Sequence, residues 1–149
     1  MAQIAVGSDH AGFRLKVYLV EQLRAGGHEV HDVGTHEATS CDYPDFAVGV
    51  ARMVVSGQAE RGLLCCGTGQ GMAMSANKVP GVRAAVCSDT FSAHATRQHN
   101  DANVLCLGER VVGFGLAADI LDAFLSAEFE GGRHALRVGK IDALDEGRG

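Results

Sequence analysis

Hydrophobic and polar positions follow two distinct patterns along the chain. Short runs such as Ile4–Val6 and Val104–Cys106 are apolar at every position, which is typical of parallel strands covered on both faces. Between these runs lie longer segments with an apolar residue every three to four positions, and Leu15, Leu19 and Leu23 mark one such helical face. The pattern predicts an α/β fold, a Rossmann-like three-layer α/β/α sandwich around a five-stranded parallel sheet.

The same pattern gives the bounds of the elements. The predicted strands are Gln3–Ser8, Glu29–Val33, Gly62–Cys66, Arg83–Cys87 and Val104–Leu107. The predicted helices are Phe13–Ala25, Pro44–Ser56, Met72–Val79, Thr90–Gln98 and Phe114–Ala127. A further stretch, Arg133–Leu144, predicts an extra C-terminal helix outside the sheet pattern. We expect a single domain over residues 1–149, with a frayed tail at Asp145–Gly149.

Composition and charge narrow the classes of function. The 149 residues carry a formal net charge of -5 with scattered lysines and arginines, so the basic patch of a nucleic-acid binder is missing. No apolar run approaches the roughly 18 residues of a membrane span, and the first residues show no targeting signal. Five cysteines without metal-ligand spacing indicate free thiols. We therefore expect a cytoplasmic protein whose partner is a small molecule or another protein.

Polar residues follow most of the predicted strands. Ligands of open parallel sheets bind beyond the carboxyl ends of the strands, so these residues are the first candidates for a site. They are Ser8-Asp9-His10 after the first strand, Cys66 and its loop after the third, Cys87-Ser88-Asp89 after the fourth and Gly108-Glu109-Arg110 after the fifth. Because the strands are parallel, we expect these residues at one edge of the sheet.

The turn at 67–71 has glycine at alternate positions. Gly67, Gly69 and Gly71 flank Thr68 and Gln70 between a strand and a helix, which allows backbone N–H groups to converge on an anion. The loop is therefore predicted to hold an oxyanion or a phosphate. A tight turn in which the glycines serve only close packing is the alternative.

Dinucleotide binding is a second alternative for this loop. Asp89 lies about 20 residues further on, as a ribose-binding acid would. However, Met72 stands where the third glycine of that fingerprint belongs, and the loop follows the third strand rather than the first.

Cys66 closes the third strand and adjoins the glycine loop. Converging N–H groups there favour the thiolate form of its side chain, which is able to take up a proton. Alternation along a strand points Cys65 to the opposite face, so we expect Cys65 to be buried under a helix. A small buried hydrophobic residue is the alternative interpretation of Cys66.

Several other polar residues have two interpretations each. His99 is a candidate acid or a cation at a helix C-terminus capped by Asn100, and Asp9 with His10 is a ligand-binding pair or a helix cap. Arg133 and Arg137, four residues apart on a helix, form a phosphate clamp or a solvated face. The remaining histidines, His28, His31, His36 and His94, lack metal-ligand spacing, and no metal site is predicted.

Motifs along nearly the whole chain resemble the ribose-5-phosphate isomerase B and galactose-6-phosphate isomerase family. They are Gly7-Ser8-Asp9-His10-Ala11-Gly12, Asp42-Tyr43-Pro44, Cys66-Gly67-Thr68-Gly69-Gln70-Gly71, Ala76-Asn77-Lys78, Arg97-Gln98-His99-Asn100-Asp101-Ala102-Asn103 and Gly131-Gly132-Arg133-His134 with Arg137. One branch of that family has glycine at the position of Cys66 and a glutamate base at the position of Met72. This chain therefore resembles the thiol branch, and its least family-like stretch is Thr35–Cys41.

The resemblance implies an aldose–ketose isomerase that interconverts ribose 5-phosphate and ribulose 5-phosphate through an enediolate, without a cofactor. It implies Cys66 as the base and His99 as the acid that opens the sugar ring. The enediolate would be stabilised by Gly67, Thr68, Gly69, Gln70 and Gly71; the substrate's hydroxyls or phosphate would contact Asp9, His10, Asn100, Arg110, Arg133 and Arg137. Family members are homodimers or homotetramers with shared active sites. Alternatives are another sugar (allose 6-phosphate, galactose 6-phosphate, a tetrose phosphate or a free sugar) or a non-catalytic nucleotide- or phosphosugar-binding module.

Overall fold

The predicted strands and helices are all present in the computed structural model, which describes residues 1–146. The strands are β1 (Gln3–Ser8), β2 (Glu29–Asp32), β3 (Arg61–Cys66), β4 (Ala84–Val86) and β5 (Val104–Gly108). The helices are α1 (Phe13–Ala25), α2 (Tyr43–Val55), α3 (Gln70–Ala76), α4 (Thr90–Asn100), α5 (Phe114–Ser126) and α6 (Arg133–Ala143). A 3-10 turn at His10–Gly12, which the sequence pattern did not indicate, joins β1 to α1.

All five strands run parallel in the order β2-β1-β3-β5-β4. Strand β3 is central, and its last residues pair with the ends of both neighbours: Cys65 lies opposite Ser8 on β1, and Cys66 lies opposite Gly108 on β5. The carboxyl ends of β1, β3 and β5 therefore meet at one edge. The predicted Rossmann-like sandwich is confirmed.

Each face of the sheet carries its own apolar core. Leu63 and Cys65 of β3 lie in the core beneath α1, α4 and α5, whereas Leu64 and Cys66 lie in the core beneath α2 and α3. Fully burying one leucine stabilises the fold by about 1.5–3 kcal/mol, so a register shift that turned these residues over would be costly. Packing on both faces therefore determines which of the two cores Cys65 and Cys66 each enter.

Helix α4 extends two residues beyond its predicted end. Asp101, with φ of 49°, ends it in the left-handed conformation, so the cap is Asp101 and not the Asn100 of the alternative interpretation. The buried Arg97 stabilises this end because its Nη1 donates to Asp101 Oδ1 at 2.8 Å and to the Ala102 carbonyl at 2.7 Å. His99 therefore lies in the last turn of a well-anchored helix.

The C-terminal helix α6 is tied to the amino-terminal end of β4. Arg83 Nη1 donates to Asp142 Oδ1 at 2.9 Å, and the Gly81 amide donates to Asp145 Oδ2 at 2.8 Å. The expected fraying at Asp145 is therefore wrong, while residues 147–149 of that tail lie outside the described residues. None of the helices in residues 1–146 combines the length and the hydrophobicity needed to cross a membrane.

Candidate active site

Cys66 ends β3 at the point where the chain turns into α3. Its side chain is nearly buried, and its Sγ accepts a hydrogen bond from the Gly69 amide at 3.0 Å. An N–H group that donates to sulfur stabilises a thiolate more than a thiol. Cys65 lies fully buried in the opposite core, where burial raises the pKa of its thiol. Of the two neighbours, Cys66 is the one whose sulfur contacts the glycine loop.

The glycine loop packs directly on the end of β5. Gly69 has a φ of 84°, and a side-chain carbon there would lie 3.2–3.3 Å from the backbone of Leu107. A side-chain carbon on Gly108 would lie 2.7 Å from the backbone of Thr68. Close packing therefore requires glycine at both positions, whatever the loop binds.

The loop also presents backbone donors next to Cys66. The Gln70 amide donates to Thr68 Oγ1 at 3.2 Å, and the Ala73 amide makes a hydrogen bond to the Gly69 carbonyl at 3.1 Å. The bond from Ala73 is the first one within α3. The amides of Gly71 and Met72 precede it in the first turn, and such amides have no partner within their own helix. These donors suit an oxyanion held beside the sulfur.

Asp9 and His10 follow β1 and lie beside the end of β3. Asp9 Oδ1 accepts from the amides of Ala11 and Gly12 at 2.9 and 3.1 Å, so Asp9 caps the 3-10 turn. The Asp9 amide in turn donates to the Cys65 carbonyl at 3.3 Å. His10 Nδ1 accepts from the Cys41 amide at 3.2 Å, which ties it to the loop before α2. Asp9 thus caps the 3-10 turn and also lies at the candidate site.

Arg110 follows β5 and covers the start of the glycine loop. Its amide donates to the Gly67 carbonyl at 3.0 Å, and its Nε would lie 3.7 Å from a side-chain carbon on Gly67. Glu109 points elsewhere, since its Oε1 accepts from the Leu15 amide in α1 at 2.8 Å. Arg110 is exposed and places a positive charge at this edge.

Tyr43 belongs to this edge, although no role was predicted for it. Its ring lies against Gly71: a side-chain carbon added to Gly71 would lie 2.6 Å from Cζ of Tyr43. The ring is 40% exposed at the first residue of α2. Only the family-like Asp42-Tyr43-Pro44 motif singled it out in the sequence. Its contact with the loop makes it a further candidate for contact with substrate.

His99 and Asn100 lie at the other edge of the sheet from Cys66. Helix α4 runs back from the carboxyl end of β4, and its last turn reaches the amino end of β5. There the Gly62 amide donates to the Asn103 carbonyl at 2.9 Å. A strand as long as β5 spans about 13 Å, which separates the two edges of the sheet. One chain does not bring His99 and Cys66 together.

Arg133 and Arg137 share the edge with His99. Both are exposed on α6, which packs His134 and Val138 against the body of the protein. The His99 and His134 rings stack with centroids 4.4 Å apart. Burial, followed by the charges of His99 and Arg133, lowers the pKa of His134. No role was predicted for His134, whose nearness to His99 depends on the packing of α4 against α6.

A cavity of about 410 Å³ lies between β4 and α6. Arg83, Asn100 and Ile141 are among its lining residues, and no residue of the glycine loop is. The predicted site residues therefore divide into two groups. The carboxyl-edge group is Asp9, His10, Cys66, Gly67, Thr68, Gly69, Gln70, Gly71 and Arg110; the amino-edge group is His99, Asn100, Arg133 and Arg137.

The chain thus combines a Rossmann-like α/β fold with a strand-end thiol beside backbone amide donors. The Ribose/Galactose Isomerase family profile matches residues 4–141, and the chain belongs to this family. It is an isomerase of the aldose–ketose type, as the resemblance implied.

Individual relatives are similar over almost their whole length. The chain is 50% identical to ribose-5-phosphate isomerase B of Escherichia coli, over 99% of each chain. It is 46% identical to D-erythrulose-4-phosphate isomerase of Pectobacterium atrosepticum, over 95% of this chain and 93% of the relative. The solved structure of Clostridium thermocellum ribose-5-phosphate isomerase B superposes with a TM-score of 0.96 at 55% identity, covering 97% of each chain.

Proposed function

We propose that the enzyme interconverts ribose 5-phosphate and ribulose 5-phosphate through an enediolate. The observation that carries the proposal is the Cys66 sulfur, held by the Gly69 amide beside the first-turn amides of α3. Half of the sequence is identical to a relative named ribose-5-phosphate isomerase B, which supports this sugar phosphate. Both the base and the oxyanion donors that the reaction needs lie within one loop.

The proton moves in three steps. The Cys66 thiolate takes the proton from C2 of the open-chain aldose, and the electron pair of that bond forms the C1–C2 double bond while O1 becomes negative. A proton passes from O2 to O1 as the amides of Gly71 and Met72, with the Thr68 hydroxyl, donate to the oxyanion. The Cys66 thiol then protonates C1, which leaves a ketone at C2 and restores the thiolate. Hydrogen moves within the sugar, so no electron acceptor is consumed.

The remaining carboxyl-edge residues bind the sugar in this proposal. Asp9 and His10 lie at the end of β1, next to β3, where hydroxyl groups of the substrate are within reach. Arg110 supplies a positive charge over the loop for the phosphate. Its contact with Gly67 supports this role, because the guanidinium then lies at the mouth of the loop.

We further propose that the active site is shared between two copies of the chain. His99, as ring-opening acid, and Asn100, Arg133 and Arg137, as ligands of substrate, lie at the amino edge and would reach the Cys66 of a partner. An apolar surface on α6 and its C-cap supports association, since Leu136, Ile141 and the C-cap Leu144 are 67%, 47% and 75% exposed. Water contact with such a surface is unfavourable, and a second subunit would cover it. The expected assembly is a homodimer or homotetramer.

The state of the cysteines supports a cytoplasmic location. All five cysteines are free, and four of them are buried. Free thiols persist in reducing compartments, whereas proteins of oxidising compartments commonly carry disulfides.

A panel of sugar phosphates in D₂O tests the substrate. We expect deuterium exchange at C1 or C2, followed by NMR, to be fastest with ribose 5-phosphate and ribulose 5-phosphate. Four-carbon phosphates, six-carbon phosphates and free ribose should react more slowly. Fastest exchange with erythrulose 4-phosphate would instead assign the chain the activity of the Pectobacterium relative. Binding without exchange for every sugar would leave only the alternative of a non-catalytic phosphosugar module.

Replacing Arg137 by alanine should raise the KM for ribose 5-phosphate by about tenfold or more, since one charge-assisted hydrogen bond contributes roughly 1.5–3 kcal/mol. Any weak turnover of free ribose should change little, because that sugar has no phosphate. Lys140→Ala is the matched control, an exposed cation one turn further along α6. An unchanged KM in Arg137→Ala would assign the arginine to a solvated helix face.

A further inference from the structure

Three side chains with metal-binding atoms meet where α4 faces the start of α6. His99 Nε2 lies 3.8 Å and His134 Nε2 lies 3.7 Å from the same oxygen, Glu130 Oε1. One ligand atom from each residue falls within 4.8 Å of the other two. Both distances are longer than a hydrogen bond, so the carboxylate is not engaged in a close contact with either ring.

We propose that His99, Glu130 and His134 bind Zn²⁺ and that the bound ion inhibits the isomerase. Ligand atoms at about 2.0–2.1 Å from a tetrahedral zinc ion are about 3.4 Å from each other. The observed separations of 3.7 and 3.8 Å are only a few tenths of an ångström longer. Two histidines and one carboxylate are also a ligand set that zinc uses in proteins, with water in the fourth position.

The cluster is held together before any ion arrives. The Glu130 amide donates to the Gln98 carbonyl at 3.0 Å, which holds the backbone of Glu130 next to the last turn of α4. The His134 side chain is only 11% exposed and packs under the His99 ring. The rings lie within 12° of parallel, so one must tilt for both lone pairs to converge. His99, with a side chain 45% exposed, has the freedom to tilt.

Nearby charges select among cations. Arg133 and Arg137 lie on the same helix as His134, and their charges oppose any cation that binds by charge alone. Mg²⁺ and Ca²⁺ require several oxygen ligands, of which this cluster offers one carboxylate. Imidazole nitrogen suits Zn²⁺, which forms strong bonds to neutral ligands. The site should therefore discriminate for Zn²⁺ against Mg²⁺.

Inhibition rests on the proposed role of His99 as the acid that opens the sugar ring. A nitrogen bonded to zinc has no lone pair left to carry a proton, so ring opening would lose its acid. Binding of zinc does not depend on that role. Zinc binding and zinc inhibition are therefore measured separately. If the proposed substrate were wrong, the expected binding of zinc would be unaffected.

Titration of the whole enzyme with zinc chloride tests the proposal. Calorimetry at about pH 7.5, where ordinary histidines are largely neutral, should show one Zn²⁺ per chain. Long-range ¹H–¹⁵N NMR should show the Nε2 signals of His99 and His134 shifting together. The rate with ribose 5-phosphate should fall in parallel with occupancy, and Mg²⁺ should produce neither effect.

Two variants and a control separate this cluster from other zinc ligands, the Cys66 thiol included. Glu130→Gln and His134→Gln should each weaken zinc affinity and zinc inhibition by about tenfold or more. Glu128→Gln, an exposed carboxylate two residues from Glu130, should leave both unchanged. Full inhibition of Glu130→Gln at the same zinc concentration would overturn the proposal and point to the thiol. Dissociation constants weaker than about 1 mM for the unaltered enzyme would also overturn it.

Discussion

Replacing Cys66 by alanine should lower kcat by about 10²–10⁴, the usual contribution of a positioned general base, while the KM for ribose 5-phosphate should stay near that of the unaltered enzyme. The physical reason is that, in the proposed mechanism, the sulfur takes and returns the transferred proton, whereas other residues bind the phosphate. Steady-state kinetics with purified protein, together with deuterium exchange at C2 in D₂O, measure the effect.

Two matched variants test whether the loss of kcat is specific to the Cys66 sulfur. Cys65→Ala removes the neighbouring thiol from the opposite core, so it should cost stability, measured by thermal unfolding, yet retain kcat. Cys66→Ser keeps an acceptor for the Gly69 amide but replaces the thiol by a hydroxyl that ionises far less readily, so it should be nearly as slow as Cys66→Ala. A Cys66→Ala enzyme with undiminished proton exchange would remove the sulfur from the reaction.

A hybrid assembled from one Cys66→Ala chain and one His99→Asn chain should regain about half of the activity of the unaltered enzyme, although each variant alone should be nearly inactive on the cyclic sugar. With the proposed shared site, one active site of such a hybrid combines the intact Cys66 of one chain with the intact His99 of the other. The second site lacks both. Co-expression with two different affinity tags isolates the hybrid for assay.

The reciprocal hybrid is the control. A chain carrying both substitutions, paired with an unaltered chain, has one defect in each shared site and should be nearly inactive. If Cys66 and His99 of one chain served the same site, the outcomes would be reversed: the first hybrid would be inactive and the second would keep half of the activity. A hybrid no more active than its parents would contradict the shared site.

Most of the fold could be predicted because its causes are local. Fully apolar runs specify strands covered on both faces, and the spacing of Leu15, Leu19 and Leu23 specifies a buried helical stripe. Helix ends were predicted less well, because they depend on side chains from elsewhere. The end of α4 is an example, since Arg97 bonds to Asp101 and Ala102 across the turn.

The position of Cys66 at the strand end, its separation from Cys65 and the glycine loop beside it were determined by sequence alone. They follow from strand periodicity and from the steric freedom of glycine, which operate over a few residues. Only the tertiary structure decided that His99 lies at the opposite edge from Cys66 and that it stacks on His134 beside Glu130. That outcome depends on the direction of α4 and on the docking of α6, which are set by packing between segments far apart in the chain.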